Sequence, residues 1–275
     1  MSLKDHTLSG KRPMPPKIFM YGVGGIGKTT WAASAPNPFF LFTEDGQAEL
    51  ELDCYAVDGS PILKSSAHIL EAITSLYNEE HDYQTVVLDT VDVLAPHLVQ
   101  EVRDQYGDDE VFGKQSFGRG GNYVADKLRL ILSGLDALRN DRGMALIVLG
   151  HSIIKTYSPP DSESYDRYRP NMTDKLALLT HDWADNVFFA KTRDTIIEDK
   201  EAFGKKRTRA VGRGERLIYT EERPAYWAKN RYSLPHELPL SWQAFVDATG
   251  VQDSPTTTAG EDAGTTKKPS DKENS

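Results

Sequence analysis

The chain of 275 residues has one cysteine, Cys54. That excludes an intrachain disulfide and a cysteine-rich zinc site, and it fits a reducing, cytoplasmic setting. No apolar run approaches the ~18–20 residues that a membrane-spanning helix needs, so no membrane partner is expected. The opening stretch MSLKDHTLSGKRPMPPK has no apolar centre and reads as a flexible polar arm over residues 1–14, not as a secretory signal. Positive charge is also in deficit. Against 41 Asp and Glu stand 32 Lys and Arg, a net charge of −9, which argues against wholesale coating of nucleic acid and leaves room for local basic patches. From about Val251 aromatic residues vanish and apolar ones nearly so, which predicts a disordered polar tail over 251–275. No internal repeat is visible. The remaining 15–250 can bury one good-sized core.

What is present is concentrated in YGVGGIGKTTW (Tyr21 to Trp31). The stretch fits G-x-x-x-x-G-K-[ST], with Gly22, Gly27, Lys28 and Thr29 in the fixed positions. The apolar run KIFMY before it suits a buried strand, and KTTWAASA after it suits a helix ended by PNP. Glycines let backbone N–H groups crowd round a phosphate, and the helix start adds its positive dipole end. The segment Gly22, Val23, Gly24, Gly25, Ile26, Gly27, Lys28, Thr29 and Thr30 is therefore the expected nucleotide cradle. Lys28 would reach the β- and γ-phosphates, and the Thr29 hydroxyl would ligate Mg²⁺. ATP and Mg²⁺ follow as the expected cofactors.

Downstream, apolar strand-like runs alternate with helical patterns. PFFLFTE, YQTVVLDT, MALIVLGHS and WADNVFFAKT read as strands; AHILEAITSLYNE, VDVLAPHLVQEVRDQYG and YVADKLRLILSGLDALRNDRG read as helices. The alternation predicts an α/β fold, a mainly parallel sheet flanked by helices. Later segments without intervening helices predict antiparallel strands added to one edge, and LSWQAFVDATG a last short helix. Ligands on such sheets sit at the carboxyl ends of strands, and three polar residues fall there. Asp89 follows an apolar run and is placed to hold the Mg²⁺ shell. Glu44, with Asp45 as the alternative, could polarise a water for attack on the γ-phosphate. His151 could sense that phosphate and pass its state to the loop that follows.

These features in this order, GVGGIGKTT, FLFTEDG, TVVLDT, LIVLGHS and WAKNRYSLP, resemble the RecA-like core of P-loop (ASCE) ATPases, and in particular the phage-encoded Sak-type single-strand annealing and recombination ATPases. The resemblance covers roughly Pro15 to Thr249. It implies that Glu44 activates water and that the residue after the fourth strand senses the γ-phosphate. Glutamine is often found there, so His151 departs from the pattern. It further implies that Lys229 and Arg231 of AKNRY reach the ATP of a neighbouring subunit, which makes a ring or filament of this chain an expected assembly. Two cations two apart on a strand point to the same side.

Single-stranded DNA is the partner this resemblance implies, with a single-strand-binding protein as an accessory. Three segments have the composition for contact. GDDEVFGKQSFGRGGNY offers Lys114, Phe117 and Arg119 among mobile glycines. The long polar stretch after His151 offers Lys155, Arg167 and Arg169. The run GKKRTRAVGRGER offers Lys205, Lys206, Arg207 and Arg209, whose binding would be steeply salt-dependent. Two other classes stay open on the residues alone: a RecA-fold DNA motor related to helicases, and a nucleotide or small-molecule kinase.

Overall fold

The computed structural model describes residues 6–7, 14–46, 50–200 and 206–250. The expected tail over 251–275 and most of the expected arm lie outside the described residues. In chain order the elements are β1 (Lys17–Gly22), α1 (Lys28–Ala33), β2 (Pro38–Phe42), α2 (Ser66–Asn78), β3 (Thr85–Asp89) and α3 (Val91–Tyr106). Then come α4 (Asp108–Phe112), α5 (Arg119–Arg142), β4 (Ala145–Tyr157), β5 (Tyr165–Pro170) and α6 (Asp174–Trp183). The chain continues with β6 (Asn186–Lys200), β7 (Lys206–Tyr219), β8 (Lys229–Asn230), β9 (Glu237–Pro239) and α7 (Trp242–Thr249).

Among the described residues the strands form one sheet in the order β2-β3-β4-β1-β6-β7-β9. The pairs from β2 to β6 are parallel, whereas β7 runs antiparallel to β6, β9 to β7, β8 to β6 and β5 to β4. Register follows from burial on both faces. Along β1, Phe19 and Tyr21 face a layer built with α2, α3, α5 and α6, while Ile18 and Met20 face Trp31 of α1 and Phe245 of α7. The same two-residue alternation recurs on β3 and β4, where Leu88 and Val148 lie on the first face and Val87 and Ile147 on the second. A one-residue slip would carry these side chains to the opposite layer.

The sequence reading and the structure part company after His151. The expected polar loop is instead a hairpin: β4 runs on to Tyr157 and turns back as β5, pairing Ser152 with Pro170 through Tyr157 with Tyr165. The unforeseen α6 follows, burying Leu176, Ala177 and Thr180 at helical spacing. The segment before Tyr123 is also more ordered than its glycines suggest, because α4 interrupts it and α5 already starts at Arg119. Gly143 ends α5 in the left-handed region, φ 68°.

Tyr21 ties the sheet to the segment that leads into β8. Its buried hydroxyl donates to Trp227 O at 2.8 Å and accepts from Trp227 N–H at 2.9 Å; burial pushes the phenol well above its ordinary pKa. Removing that hydroxyl leaves both backbone groups of Trp227 without their partner. Tyr21→Phe is expected to cost about 1–3 kcal/mol of stability. The check is the urea unfolding midpoint, which falls with an unchanged m value.

Candidate functional site

The glycine-rich turn leaves β1 at its carboxyl end. At Gly22 a Cβ would stand 2.3 Å from the carbonyl oxygen of Ala190 on β6, so only glycine lets the strands approach this closely. Gly25 and Gly27 hold φ of 70° and 106°, the left-handed region that glycine enters freely and that lets successive backbone N–H groups turn towards a bound anion. Lys28 reaches back beneath the turn. Only 6% exposed, its Nζ donates to Val23 O at 3.3 Å and Gly22 O at 3.5 Å. It forms no ion pair among the described residues. Burial pulls its pKa down, while the fields of Asp89, Asp92 and Glu44 pull it back up. A buried ammonium held only by two long bonds to carbonyls can accept an anion without first breaking a salt bridge. The turn therefore fits the phosphates that its pattern predicts.

Thr29 and Asp89 meet beside that ammonium. Thr29 Oγ1 donates to Asp89 Oδ2 at 2.7 Å, joining the start of α1 to the end of β3. Burial pushes Asp89 up to about 6, against the opposing hydrogen bond from Thr29; Glu44 adds to the rise, and Lys28 and His151 oppose it. A hydroxyl and a carboxylate at this spacing are the oxygen donors a hard divalent cation takes, so Thr29 and Asp89 would hold Mg²⁺ on bound phosphates. That ion would supply charge neutralisation there.

The chain after β2 is stitched to the chain after β3. Thr43 N–H donates to Asp89 O at 2.8 Å, Thr43 Oγ1 donates to Thr90 O at 2.7 Å, and Thr90 N–H donates to Thr43 Oγ1 at 2.8 Å. The Asp89–Thr90 peptide bond within this patch is cis. Thr90 Oγ1 then donates to Glu44 Oε1 at 3.1 Å. Glu44 is thus held half-buried against the site, while Asp45 is exposed.

A third carboxylate, which the sequence reading did not single out, fixes the histidine. Asp92, buried in the first turn of α3, accepts His151 N–H on Oδ1 at 2.9 Å and the ring Nδ1 on Oδ2 at 3.1 Å. With Nδ1 donating to this carboxylate, Nε2 is left facing Glu44 Oε1 at 3.8 Å. The bond to Asp92 raises the pKa of His151 despite partial burial. Burial alone would raise Asp92, but the hydrogen bonds from His151 outweigh it and leave Asp92 low. The only trace in sequence is an acid three residues beyond Asp89; Thr43 and Thr90 carry none.

The structure brings Lys28, Thr29, Asp89, Glu44 and His151 together, and it places the other expected residues elsewhere. Lys229 opens β8 and Arg231 follows its last residue, so the two do not share a strand as expected; β8 pairs with the first residues of β6, beside the amino end of β1. Gly22 lies four residues further along β1, about 13 Å away. Lys229 Nζ donates to the carbonyls of His181, Asp182 and Ala184 at 3.1, 3.1 and 2.7 Å, closing the end of α6. Arg231 pairs with Asp185 at 2.9 Å and is 59% exposed.

Among the DNA candidates, Phe117 is 88% exposed between exposed Lys114 and Arg119, the last paired to Glu110. Lys155 is half-buried, its Nζ 3.4 Å from Asp174. Arg167 and Arg169, expected in a polar loop, turn inward from β5. Arg167 is 7% exposed and donates to Glu222 and to the carbonyls of Arg223 and Tyr226. The Arg169 guanidinium lies 3.8 Å from the centre of the Trp227 ring. Lys205 lies outside the described residues, as do the side chains of Lys206, Arg207 and Arg209.

Asp92 and His151 also set a pH window. Asp92, with a lowered pKa, stabilises the fold above its unfolded value of about 4 and loses that effect as pH falls through the folded value. His151, with a raised pKa, stabilises it below its unfolded value of about 6.5 and loses that effect as pH rises through the folded value. Asp92→Asn is expected to cost about 1.5–3 kcal/mol near pH 6. Urea unfolding across pH 5–9 checks this: the gap to wild type is widest near the acid end and narrows above neutrality.

No curated protein matches the sequence. The model of a P-loop ATPase family, the AAA domain, matches residues 14–232, a span that takes in the phosphate turn, Glu44, Asp89, Asp92, His151, Lys229 and Arg231. With Lys28 buried at the turn and Thr29 bonded to Asp89, sequence match and geometry agree, and the chain belongs to the AAA domain family of nucleotide-binding P-loop ATPases.

Proposed function

We propose that this protein is a Mg²⁺-dependent, RecA-type ATPase that acts on single-stranded DNA in recombination of the phage strand-annealing kind, with ATP sites shared between subunits. The observation that carries the hydrolytic part is the placing of Glu44. Thr90 holds its carboxylate beside Asp89, and Nε2 of His151 faces it at 3.8 Å. A carboxylate there can take the proton of a water attacking the γ-phosphate, while Lys28 bears the phosphate charge. The strand order supports the RecA comparison, since β4 lies between β1 and β3 and carries His151 between the phosphate turn and Asp89.

Sharing of sites is supported by where the two late cations stand. Lys229 and Arg231 lie at the end of the sheet opposite the chain's own turn, out of reach of phosphates bound there, which leaves them available to a second copy. Arg231, exposed and paired only to Asp185, which Arg139 also neutralises, is the one of the two that can be released for this; Lys229 is committed to the end of α6. DNA contact is supported by Phe117, an outward aromatic ring with Lys114 and Arg119 on either side, the composition of a stacking and phosphate contact. Arg167 and Arg169 have no part in this reading.

The test is ATP hydrolysis with and without single-stranded DNA across protein concentration. Single strands are expected to raise the rate, and turnover per subunit is expected to climb with concentration. Glu44→Gln is expected to bind ATP and to lose about 10²–10⁴ in rate. Arg231→Ala is expected to remove the climb with concentration, and Phe117→Ala to weaken single-strand binding about tenfold. A rate indifferent to both DNA and concentration would sink the recombination reading and leave a self-contained ATPase.

A further inference from the structure

On the side of the sheet covered by α1 and α7, a cleft of about 390 Å³ adjoins the phosphate turn. One wall is α1, with Thr30, Trp31 and Ser34; the other is the entry to α7, from Leu240 to Gln243. Arg216 of β7 closes the end beside Gly27, its Nη1 3.1 Å from where a Cβ on Gly27 would stand. The walls are fixed relative to each other. Leu240 N–H donates to Arg216 O at 2.9 Å, Ser241 caps α7, and the rings of Trp31 and Trp242 meet at 4.9 Å and 62°.

The lining divides chemically. Half-buried Trp242 and Leu240 offer an aromatic face and apolar bulk, and Ser34, Ser241 and Gln243 offer hydroxyl and amide groups. The indole N–H of buried Trp31 has no hydrogen-bond acceptor among the described residues, and exposed Arg216 presents its guanidinium at the end beside Gly27. A flat heteroaromatic ring joined to a polyhydroxylated sugar and an anionic phosphate matches this arrangement. The volume falls in the lower part of the ~300–1,000 Å³ range of small-molecule sites.

We propose that this cleft seats the nucleoside half of the nucleotide, with the base against Trp242, the ribose among the hydroxyl and amide groups, and Arg216 at the junction of sugar and phosphate. The inference rests on the reading of Gly22–Thr30 as the phosphate seat. It assigns the choice between nucleotides to β7 and the α7 entry, at the far end of the chain from the phosphate turn.

The test compares ATP, ADP and inorganic tripolyphosphate by calorimetry on the full chain, wild type and Trp242→Ala. Tripolyphosphate occupies the turn and has nothing to place in the cleft. The expected result is binding of ATP and ADP weakened about tenfold in the variant, with tripolyphosphate unchanged. Unchanged ATP binding in the variant would overturn the inference, as would equal weakening of all three ligands, which would mean that Trp242 acts through the turn. If wild type binds none of the three, the phosphate reading itself fails. Should Trp242→Ala lose its fold, Trp242→Leu keeps the apolar bulk without the aromatic face and carries the same comparison.

Discussion

Three carboxylates and one ammonium share a corner of the sheet from which water is largely excluded, and the rest of the structure depends on keeping them there. Asp89, Asp92 and Glu44 all act on Lys28, yet none forms a salt bridge with it. Each acid is held by something else: Asp89 by Thr29, Glu44 by Thr90, and Asp92 by the backbone and ring of His151. Buried charge is tolerated when hydrogen bonds satisfy it. Here those bonds are arranged so that the cation alone is left for an incoming anion. Burial, joined by the like charge of Glu44, disfavours the Asp89 carboxylate and pushes its pKa up to about 6 despite the hydrogen bond from Thr29.

The parallel sheet makes this corner possible. Strands β1 and β3 end beside the middle of β4, so that the phosphate turn, Asp89 and His151 meet at one end of the parallel strands. The hydrogen bonds among Thr43, Asp89 and Thr90 bring the end of β2 into the same corner and with it Glu44. The two buried faces supply the rigidity. Phe19 and Tyr21 are locked into one layer and Ile18 and Met20 into the other, so β1 cannot slide without exchanging its cores. From His151 the chain continues directly into the β4–β5 hairpin, so any change at the histidine has a short covalent path to that hairpin's tip.

The opposite end of the sheet carries a separate electrostatic cluster. Asp185 joins Arg139 at 2.6 Å and Arg231 at 2.9 Å, and Lys229 closes the end of α6. The antiparallel strands β7 and β9 extend the sheet on the side of β6. They bring Arg216 over Gly27 from more than 180 residues further along the chain. The turn is thus completed by a segment remote from it in sequence.

The sequence by itself determined the phosphate turn, because glycine spacing, Lys28 and Thr29 are local requirements. It also determined the parallel strands, because burial on both faces forces near-continuous apolar runs such as those of β1 and β3. Asp89 and Glu44 were legible as acids at strand ends. Only the tertiary structure decided that Glu44 faces the site while Asp45 faces solvent, since bonds between the ends of β2 and β3 settle that direction. It also decided that Asp92 clamps His151, a pairing across 59 residues with no local signature. Arg167 and Arg169 look like any polar loop in sequence; Arg167 is buried and Arg169 is stacked on a ring because Glu222 and Trp227 arrive from far along the chain. Period and turn chemistry are written locally; which charged group meets which is fixed only when distant segments are packed together.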